Sequence, residues 1–259
     1  MRSDSPDDAT AVPDCESVDA LAAQVRRAGF AFAEGAAVDA ILGAVGGLDD
    51  WDVFAESWDH LDPDQYLAAT GRYRRRRHAV FDLGAALDSS AAPHRLPDQP
   101  HFQTLAHNPL QGGLARWFTP MTDTAVGTRA FQALMGFGRK VFARLDSAAA
   151  TGSWRVEAHQ FRIEAKPDHA GEPTPEGMHR DGVDYVLVVL VERRNIERGT
   201  TSIHAPDGTE LGSFTLARPR DIALVDDHRV FHGVTAVTSR DPSKLAHRDV
   251  LVLTYSRRT

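Results

Sequence analysis

From Trp154 onward the chain breaks into seven short segments that alternate apolar and polar residues or run β-branched, with no helical period between them. They are Trp154 to Ala165, Val183 to Val191, Thr200 to His204, Leu211 to Leu216, Asp221 to Val225, Arg229 to Thr235 and Asp249 to Tyr255. Asp207-Gly208, Pro219, Asp226-Asp227 and Asp241-Pro242 supply the turns that separate them. Strands joined by turns rather than by helices predict an antiparallel barrel or sandwich. The front half reads differently. Val18 to Ala28 has helical spacing and stops at Gly29, and Ala36 to Val45 stops at Gly46-Gly47. A short helix is expected from Asp62-Pro63 through Tyr66 and Leu67. A long helix is expected over Thr122 to Leu145, where Ala125, Phe131, Leu134, Phe137, Val141, Phe142 and Leu145 form an apolar stripe. Between Asp82 and Pro120 no period survives, and loops of that length inside a domain tend to be functional. The expected organisation is a flexible acidic leader over 1–17 and one domain over 18–259. That domain is mainly β, a helical buttress (18–150) on a β core (151–259).

Charge and cysteine content narrow the function. Lys+Arg 29 against Asp+Glu 36 gives a net charge of −7, the wrong sign for a general nucleic-acid binder. The single cysteine, Cys15, excludes an intramolecular disulfide and any thiolate-rich zinc or iron–sulfur site. The longest apolar runs, such as Val186 to Val191, fall far short of the roughly 20 residues a membrane helix needs. The leader carries acids where a secretory signal carries bases, so a cytoplasmic location is expected.

The chemistry concentrates in Met178-His179-Arg180-Asp181-Gly182 and in His232. Residues two apart on an extended chain project to one side, so His179 and Asp181 can hold one metal ion together. His232, in Val230-Phe231-His232-Gly233-Val234, supplies a second imidazole. Two imidazoles and one carboxylate make the facial triad of non-haem Fe(II) oxygenases, with three positions left open. Farther on, alternation puts Arg248 on one face with Val250, Val252 and Thr254. An arginine on an apolar face needs an anion, and a guanidinium grips a carboxylate bidentately; the distal carboxylate of 2-oxoglutarate fits that role. Other readings stay open on these residues alone. The histidines and Asp181 could be ordinary loop residues, with Arg248 paired to Asp226 or Asp227. The same triad also suits Zn²⁺ or Mn²⁺ in a cupin-like isomerase or hydrolase. A non-catalytic barrel that binds a carboxylated ligand is the third alternative.

Five blocks, in order, resemble the bacterial 2-oxoglutarate/Fe(II)-dependent dioxygenases that act on free L-amino acids, the isoleucine dioxygenase group. They are HQFRI (His159 to Ile163), PEGMHRDGVDYV (Pro175 to Val186), ERRNI (Glu192 to Ile196), DIALVDDHRVFHGVT (Asp221 to Thr235) and HRDVLVLTY (His247 to Tyr255). RYRRRR (Arg72 to Arg77) and HFQTLAHNPLQGGLARWF (His101 to Phe118) are similar too, so the likeness covers most of the chain. It implies a double-stranded β-helix, a jelly-roll of cupin-like form, with helices against one sheet. It implies Fe(II) held by His179, Asp181 and His232, which are thereby the catalytic residues, and 2-oxoglutarate paired with Arg248. The implied reaction joins O₂ and a free L-amino acid or close derivative, hydroxylates an unactivated C–H, and releases succinate and CO₂. Desaturation and sulfoxidation are other outcomes on the same scaffold; the intact Asp181 disfavours halogenation. The usual Gly-Gly after the R-x-N block is Arg198-Gly199 here.

Weaker candidates complete the reading. Gln160 and Arg162 share a face of their strand and bind substrate if that face is interior. Asp184 either holds a substrate ammonium or caps a loop. Gln103, Asn108 and Arg116 lie in the irregular stretch and are candidate substrate contacts of a lid; Trp117 and Phe118 beside them are expected in the core. Arg72 and Arg74 to Arg77 form a basic run, either a solvated face or a lure for an anionic substrate. His159, His169, His204 and His228 lack a second ligand at useful spacing and read as structural or exposed.

Overall fold

The computed structural model describes residues 17–43, 47–68, 74–84, 93–145 and 152–258. The acidic leader, Cys15 and Arg72 lie outside the described residues. In chain order the elements are α1 (Val18–Ala28), β1 (Phe30–Ala33), α2 (Gly35–Gly43), α3 (Trp51–Glu56), a 3₁₀ turn (Ser57–His60), β2 (Asp62–Pro63), α4 (Gln65–Ala68), β3 (Arg74–Leu83), β4 (His94–Arg95), α5 (Asp123–Gly127) and α6 (Arg129–Phe142). The β half follows as β5 (Trp154–Ala165), β6 (Tyr185–Arg194), β7 (Ile196–Arg198), β8 (Thr201–His204), β9 (Glu210–Phe214), β10 (Ile222–Asp226), β11 (Phe231–Val234), β12 (Val237–Ser239) and β13 (Ala246–Arg257).

An 8-stranded sheet runs β1-β10-β6-β13-β5-β3-β2, with β4 beside β3. The sheets β11-β8-β9 and β12-β7 complete a double-stranded β-helix, and every strand pair is antiparallel. The period of two assigns each strand two different faces. On one face Phe81, Trp154, Val156, Leu187, Val189, Leu251, Leu253 and Tyr255 pack with Leu21, Phe54, Phe131 and Phe142 of the helices. On the other face Ile163, Val186, Leu190, Val225 and Val250 close on Ile203, Phe214 and Leu216 inside the barrel. The helices therefore buttress one face of the large sheet and leave the opposite face to the barrel interior. No described helix is long and apolar enough to cross a membrane.

The front half departs from a purely helical reading, because β1, β2, β3 and β4 all join the large sheet. β1 is too short to show alternation, and four successive arginines hide it in β3. Those arginines are paired rather than solvated: Arg74 with Asp64, Arg75 with Glu164 and Arg77 with Asp62. Asp62-Pro63 forms β2, and the helix starts only at Gln65. The helix expected over Thr122 to Leu145 breaks at Thr128, whose extended backbone (φ −66°, ψ 145°) lets its Oγ1 accept from Phe131 N at 3.3 Å. At the family departure, Arg198 holds a left-handed φ of 60° beside Gly199 at 80°. The non-glycine residue costs about 1 kcal/mol. Gly199 itself is needed, since a Cβ there would lie 2.8 Å from Val237 Cγ1.

Candidate metal centre and its cavity

His179 and His232 face each other across an antiparallel bridge, each backbone N–H donating to the other's carbonyl at 3.0 Å. Directly opposed residues carry their side chains on the same face, and the two rings sit 4.5 Å apart. His179 Nε2 lies 3.8 Å from Asp181 Oδ1, and His232 Nε2 lies 3.5 Å from Asp181 Oδ2. The ligand atoms of all three fall within 4.8 Å of one another. His179 Nδ1 is 3.0 Å from the Gly177 carbonyl. A carbonyl only accepts, so Nδ1 carries the hydrogen and Nε2 is the nitrogen left to ligate a metal.

Asp227 holds this turn. Its Oδ1 accepts from Asp181 N at 2.9 Å, and its Oδ2 accepts from Gly182 N at 2.8 Å and Val183 N at 3.1 Å. Gly182 has a φ of 81°, and a Cβ there would stand 2.6 Å from His107 Nδ1. Burial, with His179 close by, pushes the His232 imidazole well below its usual pKa. Burial pushes the Asp181 carboxyl up, although the neighbouring His179 opposes it. His179 is pushed down by burial but raised more by the Asp181 and Glu176 carboxylates. One carboxylate and two imidazoles, with ligand atoms this close, form a donor set that a divalent cation would satisfy.

The triad opens into a cavity of about 250 Å³. One end is apolar, lined by Val186, Val188, Leu216, Val225, Val250 and Val252, with Thr201 and Arg248 among them. Arg248 is buried, and its Nε has no partner. Neither Asp226 nor Asp227 pairs with it. Burial, aided by Arg193, lowers its pKa to about 10, still charged at neutral pH. A buried cation on an apolar wall calls for an anionic ligand.

The opposite end is polar. Arg76 Nη2 donates to His159 Nδ1 at 2.8 Å, and the guanidinium stacks 3.6 Å over the Phe118 ring. Arg116 donates from Nη1 to Gln111 Oε1 at 2.5 Å and from Nη2 to Gln103 Oε1 at 2.8 Å. The buried Nε atoms of Arg76 and Arg116 have no partner. Asp64 is claimed first by Arg74 at 2.8 Å and lies 3.8 Å from Arg76. Glu157 is already occupied, accepting from His78 at 3.0 Å, His101 at 2.8 Å and Arg155 at 3.0 Å. This end thus carries more positive charge than its own acids neutralise.

The structure therefore gathers His179, Asp181, His232, Arg248, Gln103, Asn108 and Arg116 around one cavity. Gln103 also links the ends, its Nε2 donating at 3.4 Å to Asp181. Gln160 and Arg162 do share a face, but it is the helix face: Gln160 bonds Ser57 Oγ at 2.7 Å, and Arg162 grips Asp249 bidentately at 2.9 and 2.7 Å. The signal was present, since Trp154, Val156 and Ala158 are in phase with them and are core residues. Asp184 anchors the last strand instead of a ligand, accepting from Arg257 N at 2.7 Å and from its guanidinium. His159 is buried on the cavity wall, one of a group with His78, His101 and Glu157. Trp117 is exposed rather than in the core, and Phe118 covers Arg76. Glu176 escapes the sequence reading, although it stands inside the block that carries the histidine; Arg76 reads there only as one of the basic run, and Asp227 only as a turn residue or a partner for Arg248.

The 2OG-Fe dioxygenase family model matches residues 55–254. A 3(1)-hydroxy-L-isoleucine 4-dioxygenase of Pantoea ananatis is 25% identical over 158 residues, 61% of this chain and 64% of that enzyme. The match thus spans less than two thirds of that curated relative's length. The crystal structure of a bsmA homologue from Methylobium petroleophilum superposes with a TM-score of 0.82 at 33% identity, covering 96% of this chain and 95% of that one. The IDO structure from Bacillus thuringiensis gives 0.74 at 17% identity over 93% and 100% of the two chains, a likeness of fold. A family match over most of the chain, set on a double-stranded β-helix, shows that the chain belongs to the 2OG-Fe dioxygenase family, whose cofactors are Fe(II) and 2-oxoglutarate.

Proposed function

We propose that this enzyme hydroxylates an unactivated C–H of a free L-amino acid or a close derivative. The observation that carries the reading is the charge layout of one cavity, with an arginine that no carboxylate closely pairs at each end and the His179, Asp181 and His232 donors lining it too. Two anionic groups can then meet beside one metal. Arg248 takes the distal carboxylate of 2-oxoglutarate in the apolar end, where only that guanidinium competes for it. Arg116, with Arg76 beside it, takes the carboxylate of the amino acid. The similarity to an enzyme named for a hydroxylated isoleucine supports this substrate class.

When bound, Fe(II) and 2-oxoglutarate supply O₂-driven oxidation of a C–H bond, with succinate and CO₂ as co-products. The chain's own share is placement. His179, Asp181 and His232 are the residues that would hold the metal, with His179 oriented by the Gly177 carbonyl and Asp181 by Asp227. The valine walls keep water from the 2-oxoglutarate end, and Gln103 ties the substrate end to Asp181. Succinate release tests the proposal: Fe(II)-loaded protein is given 2-oxoglutarate, air and a pool of the common L-amino acids. Amino-acid-dependent succinate with a product one oxygen atom heavier supports it. Succinate that no amino acid stimulates overturns the substrate assignment.

A further inference from the structure

Three acids line the cavity, and two are already committed. Asp181 belongs to the metal donors, and Glu157 has both oxygens occupied by His78, His101 and Arg155. The third is Glu176. Its side chain is 12% exposed, and its Oε1 lies 3.4 Å from His179 Nε2. It stands outside the three residues whose ligand atoms share the 4.8 Å set, so it does not converge with them on one point. Arg116 lines the same cavity, held by two neutral amides and neutralised by no carboxylate of its own. Burial and then Arg74 lower the Arg116 pKa, while Asp64 and then Glu176 oppose them, so Glu176 lies within electrostatic range of that guanidinium.

An acid and an arginine facing one cavity, neither salt-bridged to the other, are the complement of a dipolar ligand. We infer that Glu176 receives the α-ammonium of the substrate while Arg116 holds its carboxylate, so the site reads an unsubstituted α-amino group. This rests on the amino-acid reading above and adds to it a discrimination against N-acylated or deaminated analogues. Those analogues would leave the Glu176 carboxylate desolvated without a cation, the kind of loss that makes a buried polar contact selective.

The test uses full-length protein loaded with Mn(II) and 2-oxoglutarate under nitrogen, so that nothing turns over. The probes are the amino acid giving the fastest succinate release, its N-acetyl derivative and its 2-hydroxy acid analogue. Calorimetry should show wild type preferring the amino acid by about 100-fold over both analogues, the scale of a charge-assisted buried contact. Glu176→Gln should lower amino-acid affinity at least about tenfold and leave the analogues unchanged, collapsing that ratio. Mn(II) affinity should stay within about twofold, which also shows that the variant is folded. An unchanged ratio, or a loss of Mn(II) affinity with the ratio intact, would overturn the assignment; the second outcome would place Glu176 with the metal. If wild type binds no free amino acid, the substrate-class reading itself falls and takes this inference with it.

Discussion

Asp227→Ala probes the metal centre without touching a candidate ligand. The Asp227 side chain is buried, and its two oxygens accept three backbone N–H groups, from Asp181, Gly182 and Val183, at 2.9, 2.8 and 3.1 Å. Each hydrogen bond to a charged acceptor contributes about 1.5–3 kcal/mol, and water entering the truncated site recovers part of it. The net cost should be about 2–4 kcal/mol, the size expected when a buried network is broken. For a domain of this length that is a fall in Tm of roughly 5–15 °C. The turn also fixes where the Asp181 carboxylate points, and losing such an outer support typically costs about 10- to 100-fold in metal affinity. Asp227→Asn keeps the volume and one acceptor oxygen, so it should fall between. Scanning calorimetry measures the first effect and Mn(II) titration calorimetry the second. If Asp227→Ala lowers Tm but leaves Mn(II) affinity within about twofold, the turn serves the fold alone and the argument that it aims Asp181 is refuted.

Three further outcomes follow from the buried charges. Arg248→Met removes an unpaired buried cation, so the ligand-free protein should be at least as stable as wild type while 2-oxoglutarate affinity drops about 100-fold or more; a marked fall in Tm with affinity retained would count against the role. Arg248→Lys keeps the charge but loses the fork, and the apparent affinity should fall about tenfold. Burial lowers the His101 pKa to about 4 despite its bond to Glu157. A folded pKa below the ordinary value means that stability is full above about pH 6.5 and is lost as pH falls toward 4, by roughly 3 kcal/mol. Asp181, raised by burial, acts in the opposite direction, so the measurement is a difference: urea unfolding of His101→Gln should lose less stability than wild type between those pH values. Equal slopes would show that His101 is not held neutral.

The most distant relationships in the site were legible because they are local twice over. His179 and Asp181 are two apart, His232 sits mid-strand, and one antiparallel bridge brings the segments face to face. The phase of β13 was legible too, since Arg248, Val250, Val252 and Thr254 all line the cavity. What stayed hidden depends on partners far along the chain. Arg74 to Arg77 look like a solvated run until Asp64, Glu164 and the sheet position are known. Asp227 looks like turn punctuation, and nothing local says that its oxygens point back to residues 181–183.

β5 shows why such errors arise and how little separates them from a correct reading. Once the large sheet divides helix core from cavity, each strand poses a binary question about which alternate set faces which side. Hydropathy is divided along β5: one face runs from polar Glu157 and His159 to apolar Phe161 and Ile163, and the other from apolar Trp154, Val156 and Ala158 to polar Gln160 and Arg162. The decision is made upstream, where Trp154, Val156 and Ala158 are committed to the helix core. With no bulge in the pairing of β5 to β13 or β3, that commitment carries through to Arg162, which stands opposite Asp249 and forms its buried pair there. The same register delivers His159 and Phe161 to the cavity, beneath Arg76. A charged residue on a strand therefore takes its side from the apolar residues in phase with it, and a polar pair that looks like a binding site can be the means by which a core face tolerates charge.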